Sequence, residues 1–181
     1  MISLRSQVAR KVLGFFMLNP QETLFVNELS RKLALDKRNL VKKLHELEKD
    51  GILRSEKRGN LKLYGVNPEF PLYEEYRRIV LKTVGVEEQL REIMRETPGI
   101  KEALIYGSYA QDAMSAHSDL DLLVVGDHEI KALQRKINLL QREIGREINS
   151  VNISEAEFKK RIDMKDPFIA GLLRGKTVRL V

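Results

Sequence analysis

A chain of 181 residues is long enough for one large or two small domains, and 43% hydrophobic with 32% charged residues describes a folded core under a heavily charged surface. The absence of cysteine excludes disulfides and thiolate metal sites. No apolar run approaches the ~20 residues of a membrane span, and the amphipathic start broken by Arg10 and Lys11 does not read as a signal peptide, so a cytoplasmic location without membrane attachment is expected. The net charge of +6 is uneven. Residues 1–70 hold fourteen Lys/Arg against eight Asp/Glu, and residues 71–181 hold eighteen of each. The whole positive excess lies in the first seventy residues, which divides the chain in two and points the first part toward a polyanion.

In residues 4–18, Val8, Val12, Leu13, Phe15 and Phe16 make one apolar helical face, ended by Asn19-Pro20. Residues 23–26 form a short extended piece, and Asn27 reads as the N-cap of a helix over 28–35. Asp36 caps the next helix, over 37–50, which buries Leu40, Val41, Leu44 and Leu47 and turns Lys37, Arg38, Lys42, Lys43 and Lys49 outward. Gly51 stops it. Residues 52–66 read as strand, Gly59-Asn60 turn and strand. This order of helix, short strand, helix, turn, helix and hairpin resembles the winged helix-turn-helix domains of prokaryotic regulators. Residues 27–34 match their second helix, and residues 44–53 match the junction between third helix and wing. The resemblance implies binding to double-stranded DNA. Lys37, Arg38, Asn39 and Lys42 would enter the major groove, while Lys57 and Arg58 on the wing would meet phosphate or the minor groove. It also implies a homodimer reading a two-fold site.

Asn67-Pro68-Glu69-Phe70-Pro71 marks a boundary, because two prolines interrupt both periodicities. Residues 72–96 form a long helical stretch with Tyr73, Tyr76, Ile79, Val80, Val84, Leu90 and Ile93 apolar, bent at Gly85 and ended by Thr97-Pro98-Gly99. So apolar a connector is expected to pack on a domain or on a second copy of the chain. The expected divisions are therefore 1–70, a linker helix over 71–98, and a second domain over 99–181.

The second domain holds the most informative stretch. Ala103-Leu104-Ile105-Tyr106 reads as a buried strand that runs into Gly107-Ser108, and ten residues later Asp119-Leu120-Asp121 opens a second apolar run, Leu122-Leu123-Val124-Val125. Alternation along a strand puts Asp119 and Asp121 on one side, about 7 Å apart. Two carboxylates that close repel unless a cation lies between them. Mg2+, which prefers hard oxygen ligands and shares them with phosphates, is the natural occupant. Glycine at 107 lets backbone N–H groups approach a phosphate, and the Ser108 hydroxyl adds a donor. Metal carboxylates facing a phosphate-binding turn are the parts needed for phosphoryl or nucleotidyl transfer.

Gly107, Ser108, Ala110, Ser118, Asp119, Asp121 and Leu122 resemble the pattern of the nucleotidyltransferase superfamily typified by DNA polymerase β, in particular its minimal prokaryotic members. The resemblance implies an α/β domain with a mixed sheet, so that the whole chain is α+β. It implies binding of a nucleoside triphosphate such as ATP with Mg2+: Gly107 and Ser108 on the phosphates, Asp119 and Asp121 as catalytic metal ligands. The product would be a nucleoside monophosphate attached to an acceptor hydroxyl or phosphate; the resemblance leaves open a protein acceptor, as in antitoxin-type members, and a nucleic acid brought by the winged helix. Two departures stand out. Gln111 and Asp112 occupy the places where the family has Arg-Gly, and on the strand around 146–153 the third carboxylate is replaced either by Asn149 or by Glu147. Asparagine offers an oxygen ligand but no charge and no proton acceptance, which predicts slow turnover or nucleotide binding without chemistry. The alternative expectation is a non-enzymatic, nucleotide-sensing transcriptional regulator. His117 lies in the loop before the aspartates, while His45 and His128 read as surface residues. A helix over 129–144, a Ser154 cap with Glu157 three residues on, a helix started by Asp166-Pro167 and a strand over 177–181 complete the domain.

Overall fold

A computed structural model describes residues 4–115 and 118–181; His117 lies outside the described residues. The chain divides into two compact units, Met1–Glu88 with Glu143–Gly145, and Gln89–Arg142 with Arg146–Val181. Among the described residues no helix is long and apolar enough to cross a membrane.

The first unit opens with α1 (Gln7–Leu18), whose N-terminus is capped by the Ser6 hydroxyl accepting from the Ala9 N–H at 3.4 Å. Of the predicted inner face, Val12, Leu13, Phe15 and Phe16 are buried and Val8 is partly buried. The short β1 (Leu24–Phe25) leads into α2 (Val26–Lys32). This helix starts two residues earlier than expected. Asn27 lies inside it rather than capping it, and the Glu28 carboxylate accepts from the Phe25 N–H at 3.3 Å. The cause is the strand: β1 delivers Phe25 in extended conformation directly at the helix start. α3 (Lys37–Lys49) is capped by Asp36, which accepts from the Asn39 N–H at 2.9 Å. β2 (Leu53–Arg58) and β3 (Leu61–Val66) form a hairpin, and β1 pairs antiparallel with β3 to complete a three-stranded sheet in the order β1-β3-β2. Leu13, Phe16, Leu29, Leu40, Leu44, Ile52 and Leu53 are buried in this unit.

The long helical stretch is two helices, α4 (Tyr73–Thr83) and α5 (Val86–Arg95). The break falls at Gly85, whose N–H bonds back to the Val80 carbonyl at 2.8 Å. A Cβ there would lie 2.8 Å from the Leu81 Cα, so only glycine allows the chain to fold this tightly over the end of α4. α4 packs on α1, where the Arg77 guanidinium donates to the Met17 carbonyl at 2.9 Å.

The second unit is built on a four-stranded sheet of β4 (Ile100–Tyr106), β5 (Leu120–Gly126), β6 (Ile148–Ile153) and β7 (Val178–Arg179), in the order β6-β5-β4-β7. β5 and β6 are parallel; β4 runs antiparallel to β5 and to β7. The sheet is therefore mixed and the chain α+β, as the sequence predicts. α6 (Gly107–Ala110) follows β4, and α7 (Ile130–Ile144) provides the crossover that two parallel strands need. α7 runs beside β6, where the Gln141 side-chain oxygen accepts from the Ile148 N–H at 2.8 Å. α8 (Glu155–Asp163) starts at the predicted Ser154 cap, and α9 (Pro167–Arg174) starts at the predicted Asp166 cap with proline at its first position. One sheet face packs Leu104, Leu123 and Val125 against Ile169 and Leu172 of α9, with Tyr106, Val151, Ile153 and Phe158 around them. Ala103, Ile105, Leu120, Leu122, Val124 and Ile148, of the opposite strand parity, are buried as well.

In the first unit the Glu48 carboxylate joins α3 to the hairpin, accepting from Lys62 Nζ at 2.7 Å and from the Ser55 hydroxyl. The Lys62 hydrogen bond, followed by that of Ser55, holds this carboxyl below its ordinary value of 4.5, against the opposing effect of burial. A lowered folded pKa gives stability that is present above the unfolded value and lost as pH falls through the folded one. Glu48→Gln should accordingly cost about 0.5–1 kcal/mol at pH 7. In thermal melts against pH, the wild-type advantage should vanish as pH falls below the carboxylate range.

Candidate functional site

The Asp-x-Asp pair opens β5, where apolar residues of both parities pin the strand and leave its first turn of side chains facing outward. Asp119 and Asp121 share the parity of Leu123 and Val125, so they prolong the face covered by α8 and α9 beyond the end of the apolar core. Both are partly exposed. Burial first, and then the Asp119 charge, push the Asp121 carboxyl above its ordinary value. The neighbouring Tyr106, paired with Asp121 in the antiparallel register, has its phenol pushed up by burial and by the Asp121 charge. Tyr106 in turn packs edge-on against Phe168 of α9, with ring centroids 5.6 Å apart. Neither aromatic is marked by the sequence motif.

Gly107 is where the turn meets the pair. Its φ is +71°, and a Cβ built on it would stand 2.2 Å from Asp121 Oδ2. Any other residue would both strain the backbone and displace a carboxylate oxygen. The glycine of the motif is thus required by the aspartate that follows fourteen residues later. Ser108, partly buried, is the second residue of α6, directly after the glycine that closes on Asp121. At the far end of α6, Asp112 has φ +55° and its N–H bonds to the Tyr109 carbonyl at 3.1 Å. Here this chain places aspartate where the resembled family has glycine. The left-handed conformation explains the family's choice, and aspartate is among the few residues that tolerate it.

Asn149 lies beside Asp121 in the parallel register, and its Nδ2 donates to Asp119 Oδ2 at 3.2 Å. The parity that sequence leaves open is settled by Val151 and Ile153, which share the Asn149 face and pack on the Leu123 cluster, while Ile148 is buried on the other side. Glu147 is exposed and precedes β6; its carbonyl accepts from the Leu120 N–H at 2.9 Å. Among the described residues no group of three His, Cys, Asp or Glu side chains is gathered in a way that could hold a metal ion. The donor set here is two carboxylates and an amide. This suits a hard divalent cation that takes its remaining oxygens from substrate phosphates and water.

In the first unit, Lys37, Arg38, Asn39 and Lys42 are all exposed along the N-terminal part of α3. Lys57 and Arg58 are exposed at the tip of the hairpin, where Arg58 Nε pairs with Glu56 at 2.8 Å. A cleft of about 580 Å3 beside α8 and α9 is lined by Ile162, Ile169, Ala170 and Leu173 with Arg161, Lys165 and Asp166, and by neither Asp119 nor Asp121.

Residues 88–170 match the family described as Polymerase beta, Nucleotidyltransferase. A candidate protein adenylyltransferase of Methanocaldococcus jannaschii is 34% identical over 64 residues, which are 35% of this chain and 64% of that relative. The matched segment thus spans a little under two thirds of the relative's length. Solved structures similar to the chain include a toxin–antitoxin with AMP-PNP, at 16% identity and TM-score 0.37, covering 52% of this chain and 72% of that one. Another is a nucleotidyltransferase candidate from Sulfolobus solfataricus, at 22% identity and TM-score 0.28, covering 41% and 68%.

Asp121→Asn removes the repulsion. A carboxyl whose folded pKa is raised costs stability once it ionises, and that cost is absent below the ordinary value of 3.8. Without metal, Asp121→Asn should therefore raise Tm at pH 7 by about 1–4 °C. Calorimetric scans should show the gain shrinking to nothing as pH falls below 3.8.

Proposed function

We propose that the chain binds a nucleoside triphosphate with Mg2+ and transfers its nucleoside monophosphate to an acceptor, while residues 1–70 form a winged helix that binds double-stranded DNA. The family match and the adenylyltransferase relative support the nucleotidyltransferase superfamily for the second unit, and nucleotidyltransferases generally use divalent metal ions. The observation that carries the reading is the Gly107 turn set against the Asp121 carboxylate, next to Asp119. Asp119 and Asp121 would hold the ion, which when bound offsets their charge and that of the phosphates. The Ser108 hydroxyl and the backbone N–H groups of the turn donate to the phosphate oxygens. The acceptor oxygen bonds to the α-phosphorus as the bond to the β-phosphate oxygen breaks, pyrophosphate leaves, and the acceptor proton passes to solvent. The relative's name supports ATP as the nucleotide and a protein as the acceptor.

Asn149 shapes the rate. Its amide donates to Asp119 where a carboxylate would help draw a proton from the acceptor. Turnover should be slow or restricted in acceptor while nucleotide binding is retained. The second reading, a nucleotide-sensing transcriptional regulator without catalysis, is favoured by this same residue. Incubation with labelled ATP, CTP, GTP or UTP and Mg2+ separates the two. Asn149→Asp should raise labelling at least tenfold, equivalent to about 1.4 kcal/mol of barrier. Tight nucleotide binding with no labelled product from either protein would favour the regulator.

DNA binding rests on the helix-hairpin order of the first unit, the +6 charge of residues 1–70 and the exposure of Lys37, Arg38, Asn39 and Lys42. Affinity should fall steeply with salt as counterions are released. In mobility-shift assays the Lys37→Glu, Arg38→Glu double variant should bind at least tenfold more weakly. Equal mobility shifts for variant and wild type would remove α3 from the interface. A homodimer reading a two-fold site would show two such units per duplex.

A further inference from the structure

Ser115 and Ser118 precede the aspartates, and one side chain from another part of the second unit holds both. Arg146 is 8% exposed. Its Nη1 donates to the Ser115 carbonyl at 3.1 Å and to the Ser118 carbonyl at 3.1 Å. A buried guanidinium is tolerated only when its donors are used. Its planar fork fixes the direction of each acceptor in a way a lysine ammonium cannot. The two serines are also bonded to each other: the Ser115 N–H donates to Ser118 Oγ at 2.8 Å, and the hydroxyls lie 2.9 Å apart. Immediately beyond Arg146 the same connection reaches the aspartate strand twice more, through the Glu147 carbonyl to the Leu120 N–H and through Asn149 to Asp119. The carbonyl of Ser118 belongs to the peptide that joins it to Asp119, so whatever orients that carbonyl orients the start of the metal-binding pair.

We propose that Arg146 is a positioning residue for the aspartate pair: by fixing the carbonyls of Ser115 and Ser118, it sets the direction in which Asp119 and Asp121 enter the site. The guanidinium does this through hydrogen bonds to backbone and makes no demand on the substrate. The link to nucleotide rests on the metal–triphosphate reading above; the link to the backbone does not.

The test uses Arg146→Met and Arg146→Lys in the full chain, with hydrogen exchange followed by mass spectrometry and calorimetric titration with ATP and Mg2+. Arg146→Met should speed amide exchange at Ser115 and across residues 118–120 at least tenfold while peptides from β4 and α7 keep their protection. It should also weaken ATP–Mg2+ binding at least tenfold. Arg146→Lys, with an ammonium that can still meet one carbonyl, should recover part of both. Unchanged exchange at Ser115 and over 118–120 would overturn the proposal, as would loss of protection throughout the unit in both variants, which marks a merely structural arginine. Faster local exchange with undiminished ATP binding would overturn it too. If the wild type itself binds no nucleotide, the functional reading fails, and the exchange data alone then decide for or against the positioning role.

Discussion

Asp119 and Asp121 are two like charges that the strand forces onto one side, close enough for Asp119 to help raise the Asp121 carboxyl. Left alone, the arrangement opposes folding, and neighbouring groups are placed to maintain it. Leu120, Leu122 and Val124 bury one parity of β5, and Leu123 and Val125 bury the other, so the strand stays extended in the sheet with both charges on one side. Gly107 gives way to Asp121 Oδ2 by having no side chain. Asn149 donates to Asp119 and takes up part of its negative charge. The surroundings thus sustain a repulsion that a divalent cation would relieve, which is how functional sites commonly store instability.

This logic also explains which parts of the molecule a reader of the sequence can find. The Gly-Ser turn, the Asp-x-Asp pair and the apolar runs around them are local patterns whose physics is complete within a few residues. So are the Asp36, Ser154 and Asp166 caps, each satisfying an N–H three residues on. Gly85 is legible as a bend for a related reason, since the chain at that point folds back on its own preceding turn.

Other features depend on partners distant in the chain. The facing of Asn149 is hidden because β6 has apolar residues of both parities, Ile148 on one side and Val151 with Ile153 on the other; alternation carries no information when both faces of a sheet are covered. The start of α2 shifts because β1 pairs with β3, a tertiary event that overrides the capping preference of Asn27. Arg146 reads as one more charge before a strand, and its meaning comes only from carbonyls some thirty residues earlier. Asp112 reads as a departure from a motif until its backbone angle shows why glycine is the usual choice there.

In the proposed function, Asp119 and Asp121 hold a divalent ion together with a triphosphate seated on the Gly107–Ser108 turn. A crystal structure with Mn2+ and a non-hydrolysable ATP analogue, read by anomalous scattering, tests this directly. A peak is expected between the two carboxylates, with triphosphate oxygens completing the coordination, and no comparable peak when nucleotide is omitted. Nucleotide bound with no Mn2+ at the pair, or Mn2+ held elsewhere in the second unit, would contradict it.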